Sequence, residues 1–198
     1  MELIFVRHGL TDWNAEKRIQ GSTDIPLNQT GREMAQALAE RLAGQHFDAV
    51  YASPLKRAYE TAEIAISKSE TRDNGIIKDD RLREIGFGVI EGLRYSGEDG
   101  PELDKANWAF FVKPEEYEAP AGGETFEDLA VRAQSFLDDL LRTQRPDARV
   151  IIFGHGAVIK GIIRQIKDLP LAELWDGAIL KNCETVSLMI DGKGKELK

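Results

Sequence analysis

Two of the chain's three histidines sit beside glycines, in Arg7-His8-Gly9 and Gly154-His155-Gly156. With Arg57 and Glu84 they make a set of two imidazoles, two guanidiniums and one carboxyl. Two guanidiniums offer forked donors matched to phosphate oxygens. A neutral imidazole is a nucleophile able to attack phosphorus and form a covalent intermediate. Nearby guanidinium charge lowers an imidazole's pKa and keeps the ring neutral. A second imidazole, when protonated, hydrogen-bonds the charge that develops. A carboxylic acid protonates a leaving alcohol and afterwards takes a proton from water. Adjacent glycines let backbone amides approach an anion. The set is that of phosphoryl transfer without a metal. Taken singly, each residue has a plainer reading: a structural histidine, a surface arginine, one acid among 34. His46, after a long helix, reads as part of a solvated turn. The joint placement carries the argument.

That placement depends on the elements. Leu3 to Val6 is a continuous apolar run, the pattern of a strand buried on both faces. Asp48 to Tyr51, Ile76-Ile77, Arg149 to Phe153 and Thr185 to Ile190 read as further strands. Between them lie helical patterns. One opens at a capping box of Thr30 and Glu33, carries Met34, Ala35, Leu38 and Leu42, and stops at Gly44. A second opens with Ser53 as N-cap and Pro54 in the first position, and buries Leu55, Ala58, Ala62 and Ile66. A third is capped by Thr125 and Asp128, and a fourth runs from Val158 to Ile166. Residues 84–123 hold a dense run of glycines and prolines, Gly97, Gly100 and Pro101 among them, and read as loops with at most short helices. An irregular stretch of that size in a compact domain is a lid or insertion.

The alternation predicts an α/β fold: a three-layer α/β/α sandwich with a mainly parallel central sheet, helices on both faces and an irregular lid insertion. We expect a single domain over 1–198 with the lid at 85–123. In such a sheet, sites lie beyond the carboxyl ends of the strands. Arg7-His8, Ser53 to Arg57, Glu84 and Gly154-His155 all follow predicted strands.

Composition narrows the partners. Lys and Arg total 26 against 34 Asp and Glu, a formal net charge of −8. A chain this acidic has no global electrostatic reason to bind nucleic acid or an anionic membrane. The expected partner is a small phosphomonoester; a homodimer is the one protein assembly allowed for. The single cysteine, Cys183, makes neither an intramolecular disulfide nor a thiolate metal site. Met1 to Arg7 lacks the basic flank and long apolar core of a signal peptide. No run approaches the ~20 apolar residues of a membrane helix. The expectation is a cytoplasmic protein.

The local strings add a resemblance. Phe5-Val6-Arg7-His8-Gly9, with Thr11 and Asn14, resembles the opening signature of the histidine phosphatase superfamily, the phosphoglycerate mutase-like family. Arg18 to Gly21 and Asp24 to Asn28 continue that loop, and Leu27 to Gly31 leads into a helix as in the family. Ser53 to Ala58 with Thr61-Ala62 resembles its second-arginine motif. Leu82-Arg83-Glu84 with Gly88 and Glu91-Gly92 resembles its acid motif. Pro120 to Thr125 resembles its Gly-Gly-Glu-Ser turn, with threonine for serine. Gly154-His155-Gly156 completes the set, and Asn182 precedes the last strand. The ordered set spans nearly the whole chain and is highly specific. Ile90 departs from it, since many relatives place an aromatic before Glu91-Gly92.

The resemblance implies that His8 is the phosphorylated nucleophile. Arg7, Arg57 and His155 would bind the transferring phosphoryl group, and Glu84 would be the proton donor and later the base. It also implies that Asn14 and Gly21 line the phosphate or substrate pocket and that the amide of Ala157 donates to the phosphate; for Asn14 a turn-capping role weighs equally. No metal and no cofactor are expected, because two arginines repel a cation and no carboxylate-rich ligand set accompanies the histidines.

Mutases of the family carry a longer lid with an Arg-Arg pair and a tail that closes over the site. Here the lid offers Arg94, Lys105 and Lys113, with no adjacent arginines, and the last strand is followed only by residues through Lys198. The expectation is therefore a hydrolase, a metal-independent phosphatase acting on a small phosphorylated metabolite through a phosphohistidine. The alternatives are a bisphosphoglycerate-dependent phosphoglycerate mutase, and a non-catalytic phosphate-binding regulator on the same fold. Lid aromatics Trp108, Phe110, Phe111 and Tyr117 either pack the lid onto the domain or face the substrate.

Overall fold

Alternate residues of the two central strands feed two separate cores. In β1 (Glu2–Arg7) and β4 (Arg149–Gly154), Leu3, Phe5, Val150 and Ile152 point to one side, and Ile4, Val6, Ile151 and Phe153 to the other. All eight are buried, so each strand reads as an unbroken apolar run. The computed structural model describes residues 1–71, 73, 75–96, 105–177 and 180–197. Gly97, Gly100 and Pro101 of the expected lid lie outside the described residues.

The chain order is β1, α1 (Asp12–Ala15), α2 (Gln29–Arg41), β2 (Ala49–Ala52), α3 (Lys56–Ile66), β3 (Ile77–Lys78), α4 (Lys105–Val112), α5 (Phe126–Thr143), β4, α6 (Gly156–Lys167) and β5 (Thr185–Met189). Short 3₁₀ turns occupy Asp80–Leu82, Gly88–Ile90, Pro114–Glu116 and Leu171–Glu173. The sheet order is β3-β2-β4-β1-β5. β1, β2, β3 and β4 run parallel, and β5 lies antiparallel on β1. Helices α2 and α3 bury Ala35, Leu38, Ala62 and Ala65 against one face of the sheet. Helices α5 and α6 bury Phe136, Leu140, Val158 and Ile162 against the other. This is the expected mainly parallel sheet between two helical layers.

Helix ends show where local reading went astray. Thr125 and Asp128 form the expected capping box of α5. Helix α2, by contrast, is capped two residues before Thr30: Asn28 Oδ1 accepts from the amide of Gly31 at 2.9 Å. Glu33, the other half of the expected box, accepts from Gln29 Nε2 instead. Ser53 does not cap α3, whose N-cap is Leu55. The orphan amide of Lys56 is satisfied by Asp24 Oδ1 at 2.7 Å, reaching across from a loop 32 residues earlier. Ser53 is thereby left for other work.

Candidate active site

Strands β1, β2 and β4 end side by side, and their carboxyl ends carry the expected residues to one edge of the sheet. Arg7 closes β1, His8 follows it, and His155 is the N-cap of α6 directly after β4. Arg57 occupies the first turn of α3. His8 is 3% exposed, and Arg57 and His155 are 0% exposed. The two imidazole rings lie 5.1 Å apart between centroids.

His8 Nδ1 lies 2.7 Å from the carbonyl oxygen of Gly9. A carbonyl only accepts, so Nδ1 carries the hydrogen and Nε2 keeps its lone pair. The backbone that aims the ring is pinned: the His8 amide donates to Gly154 O, and Asn182 Nδ2 donates to His8 O at 2.9 Å. Gly9 is required by crowding, since a Cβ there would lie 2.6 Å from the carbonyl oxygen of Gly31. Burial, then the charges of Arg57 and Arg7, hold the His8 ring well below the usual imidazole range. The resting ring is neutral, as a nucleophile must be.

His155 Nε2 is 2.8 Å from Ser53 Oγ, which itself accepts from the amide of Leu55. Its Nδ1 is buried and has no hydrogen-bond partner among the described residues. Burial first, then Arg57, His8 and Arg7, push this ring down as well. The resting His155 is therefore neutral, and the protonated donor considered from the sequence needs an incoming anion to offset the guanidiniums.

The arginines are clamped from behind. Arg57 donates Nη1 to Thr23 O at 2.8 Å and Nη2 to Gly21 O at 2.7 Å. Arg7 donates Nη1 to Leu180 O at 2.8 Å. The Nε of each is buried and has no hydrogen-bond partner among the described residues. Burial lowers Arg57 to about 10, which still leaves it charged at neutral pH. Two held guanidiniums and an unpartnered imidazole nitrogen around a neutral nucleophile form a preorganised anion site.

Glu84 lies at the N-terminus of α6, where Ala157 N donates to Oε2 and Val158 N to Oε1, both at 3.1 Å. The Ala157 amide, expected to serve a phosphate, thus serves the carboxyl. Arg132 fixes the approach to Glu84. It donates to the carbonyls of Arg81 and Arg83 and pairs with both oxygens of Glu124.

A cavity of about 380 Å³ joins these groups, and Arg7, His8, Asn14, Gly21, Arg57, Glu84 and Ala157 all line it. His155 is fully buried and is not among the residues that line it, while its ring stays 5.1 Å from that of His8. Asn14 Oδ1 accepts from the Thr11 amide in the capping box of α1, and the residue also lines the cavity. His46 is remote from the group, exposed beside Asp48. Among the described residues no three His, Cys, Asp or Glu side chains are grouped to hold a metal ion.

Glu91, named from the sequence only as part of the acid motif, has a role that sequence reasoning missed. Its carboxylate accepts from the amides of Ser22, Thr23 and Phe87 and from the hydroxyls of Ser22 and Thr23. That knot shapes the loop whose Gly21 and Thr23 carbonyls hold Arg57. Gly21 has φ +53°, and a Cβ there would collide with Glu91 Oε1 at 2.2 Å. An acid before a glycine carries no such signal by itself, because Ser22 and Thr23, which supply four of its five donors, lie 69 and 68 residues earlier. Glu91→Gln trades one acceptor oxygen for a donor amide and releases Arg57. The inhibition constant for orthophosphate is expected to rise about tenfold, from the loss of one or two charge-assisted hydrogen bonds. An unchanged constant would remove Glu91 from this role.

Residues 3–198 match the family model described as histidine phosphatase superfamily, branch 1. The metal-independent phosphoserine phosphatase of Arabidopsis thaliana is 39% identical over 166 residues, covering 83% of this chain and 68% of the relative. Phosphoglycerate mutase-like protein 4 of the same plant is 36% identical over 167 residues, 84% of this chain and 71% of the relative. The solved structure of a mycobacterial glucosyl-3-phosphoglycerate phosphatase superposes with a TM-score of 0.82 at 30% identity, covering 94% of this chain and 92% of that one.

Proposed function

The chain belongs to the histidine phosphatase superfamily, and on that premise we propose that this phosphatase hydrolyses small phosphomonoesters through a phosphohistidine on His8, without a metal. The observation that carries the reading is His8 itself. Its Nδ1 is bonded to Gly9 O, so the Nε2 lone pair is free in a cavity flanked by two held guanidiniums.

In the first step Nε2 attacks phosphorus and the P–O bond to the alcohol breaks. The electron pair stays on the leaving oxygen, which takes a proton from Glu84. Arg7, Arg57 and His155 bind the phosphoryl oxygens throughout. In the second step Glu84 takes a proton from water, the oxygen attacks phosphorus, and the N–P bond breaks to return neutral His8 and release phosphate. Each step is general acid–base chemistry at a nucleophile already in the required tautomer.

Hydrolysis is favoured over mutase chemistry by the lid sequence and the cavity wall. A mutase must shield its phosphoenzyme from water and grip a carboxylate-bearing product. The described lid residues here include no adjacent arginines, and the wall beyond the phosphoryl site is largely aromatic. The curated relative named as a metal-independent phosphatase supports the same reading.

The test is phosphate release from a panel of phosphomonoesters in excess EDTA, with the His8→Ala protein as blank. Full activity in chelator is expected, since the guanidiniums supply the charge a divalent ion would bring. Activity lost in EDTA and restored by Mg²⁺ or Mn²⁺ would overturn the proposal. So would phosphoglycerate interconversion that outpaces phosphate release when catalytic 2,3-bisphosphoglycerate is present.

A further inference from the structure

Resting on that reading, we propose that the outer half of the cavity is an aromatic leaving-group subsite. It selects phosphomonoesters whose alcohol carries a flat, uncharged ring, over those whose alcohol carries a carboxylate or ammonium group.

The wall divides cleanly by chemistry. The inner part holds Arg7, His8, Arg57 and Glu84. The outer part holds Phe87, Tyr95, Trp108, Phe110, Phe111 and Trp175. One further charged side chain, Arg18, lines the cavity among the described residues. It is already engaged, its Nε with Glu16 at 2.6 Å and its Nη1 with Gly92 O at 2.7 Å. A leaving group bearing a carboxylate would compete with Glu16 for that guanidinium, and one bearing an ammonium meets, among the described residues that line the cavity, no acid beyond Glu84. A charged group in such a wall is desolvated without compensation.

The two roles considered for the lid aromatics from the sequence divide, on this proposal, between residues. Phe110 is structural. It is 3% exposed and makes ring contacts of 4.7 to 5.3 Å with Phe87, Phe111, Tyr117, Phe126 and Trp175. Trp175 is held to the same residue by Nε1 donating to Phe110 O at 2.6 Å. Trp108 is the opposite case. It is 36% exposed at the cavity, and its ring contact is with Phe111, tilted by 48°. Phe111 in turn leans on Tyr95. A large indole left partly open beside rings fixed by a buried pillar offers one free face for stacking. That is the arrangement of a mostly apolar ligand site with its few polar groups gathered at one end.

The experiment compares alkyl phosphates of similar leaving-group basicity, so that the ring alone is read. We expect kcat/KM for 2-phenylethyl phosphate to exceed that for ethyl phosphate by roughly twentyfold, from ring burial together with ring–ring contact. Phosphoserine and 3-phosphoglycerate should fall below 2-phenylethyl phosphate. Trp108→Ala should reduce the ring preference about fivefold while leaving ethyl phosphate turnover within about twofold, and Trp108→Phe should restore most of it. Trp108 is partly exposed and outside the main core, so both variants should keep the wild-type melting temperature. Faster turnover of phosphoserine than of 2-phenylethyl phosphate, or a ring preference untouched by Trp108→Ala, would overturn the subsite. Hydrolysis of every monoester without ring preference would overturn the subsite and leave the phosphatase reading standing. Failure to hydrolyse any monoester would count against the phosphatase reading instead. In that event calorimetric binding of 2-phenylethyl phosphonate against ethyl phosphonate still decides the subsite: tighter binding of the ring compound supports it, and equal binding rejects it.

Discussion

Replacing His8 with alanine is expected to lower turnover by roughly 10⁴- to 10⁶-fold, the scale on which losing a nucleophile acts when its partners remain. Rapid quenching of the wild type with labelled substrate should trap an acid-labile, base-stable phosphoenzyme, and the variant should trap none. The fold should survive. Among the described residues the ring makes one hydrogen bond, to its neighbour's carbonyl, while the strand beneath is held by its own ladder. The pH profile gives an independent reading. Burial, Arg57 and Arg7 all disfavour the imidazolium, so protonation of His8 is displaced to lower pH. The group is active when deprotonated. The acid limb of kcat/KM should therefore lie well below the usual imidazole value of about 6.5. Removing a cation favours the protonated ring, so Arg57→Ala should move that limb upward. Wild-type-like turnover in His8→Ala, or label retained by it, would end the assignment.

Glu84→Gln should have the second-largest effect, and its size should depend on the substrate. An alkyl alcohol leaves as a strong base and needs a proton. For it the loss should be about 10²- to 10⁴-fold, the ordinary range for general acid–base catalysis. 4-Nitrophenolate leaves without help, so 4-nitrophenyl phosphate should lose far less in its first step. Gln retains an oxygen that can accept from the Ala157 or Val158 amide, so the N-terminus of α6 keeps a partner and the change tests chemistry more than packing. Burst kinetics with 4-nitrophenyl phosphate separate the steps. A preserved burst with a slowed steady state would show Glu84 acting as the base toward water in dephosphorylation. Equal losses on both substrates in the burst would remove Glu84 as the acid.

Much of this molecule was legible in the order of its residues, because the physics behind those signals is local. The buried strands of β1 and β4 show as unbroken apolar runs, since a strand covered on both faces has no polar side. The capping box of α5 was readable, because its donor and acceptor lie three residues apart. The placement of Arg7, His8 and His155 at strand ends followed from a parallel sheet, which turns the ends of successive strands toward one edge. What the tertiary structure decided depends on partners far apart in the chain. Ser53 reads as a helix cap, yet it bonds His155, because Asp24 caps α3 from another loop. Ala157 reads as a phosphate donor, yet its amide is taken by an acid 73 residues earlier. Glu91 stands in the resembled acid motif with no role attached to it until the loop carrying Gly21 and Thr23 closes onto it. The lid rings have no helical stripe that sorts them, and only packing assigns Phe110 to the core and leaves Trp108 open to the cavity. Short-range hydrogen bonds and periodicity leave marks in sequence. The choice among competing long-range acceptors, and the burial that shifts a histidine, exist only once the elements have packed.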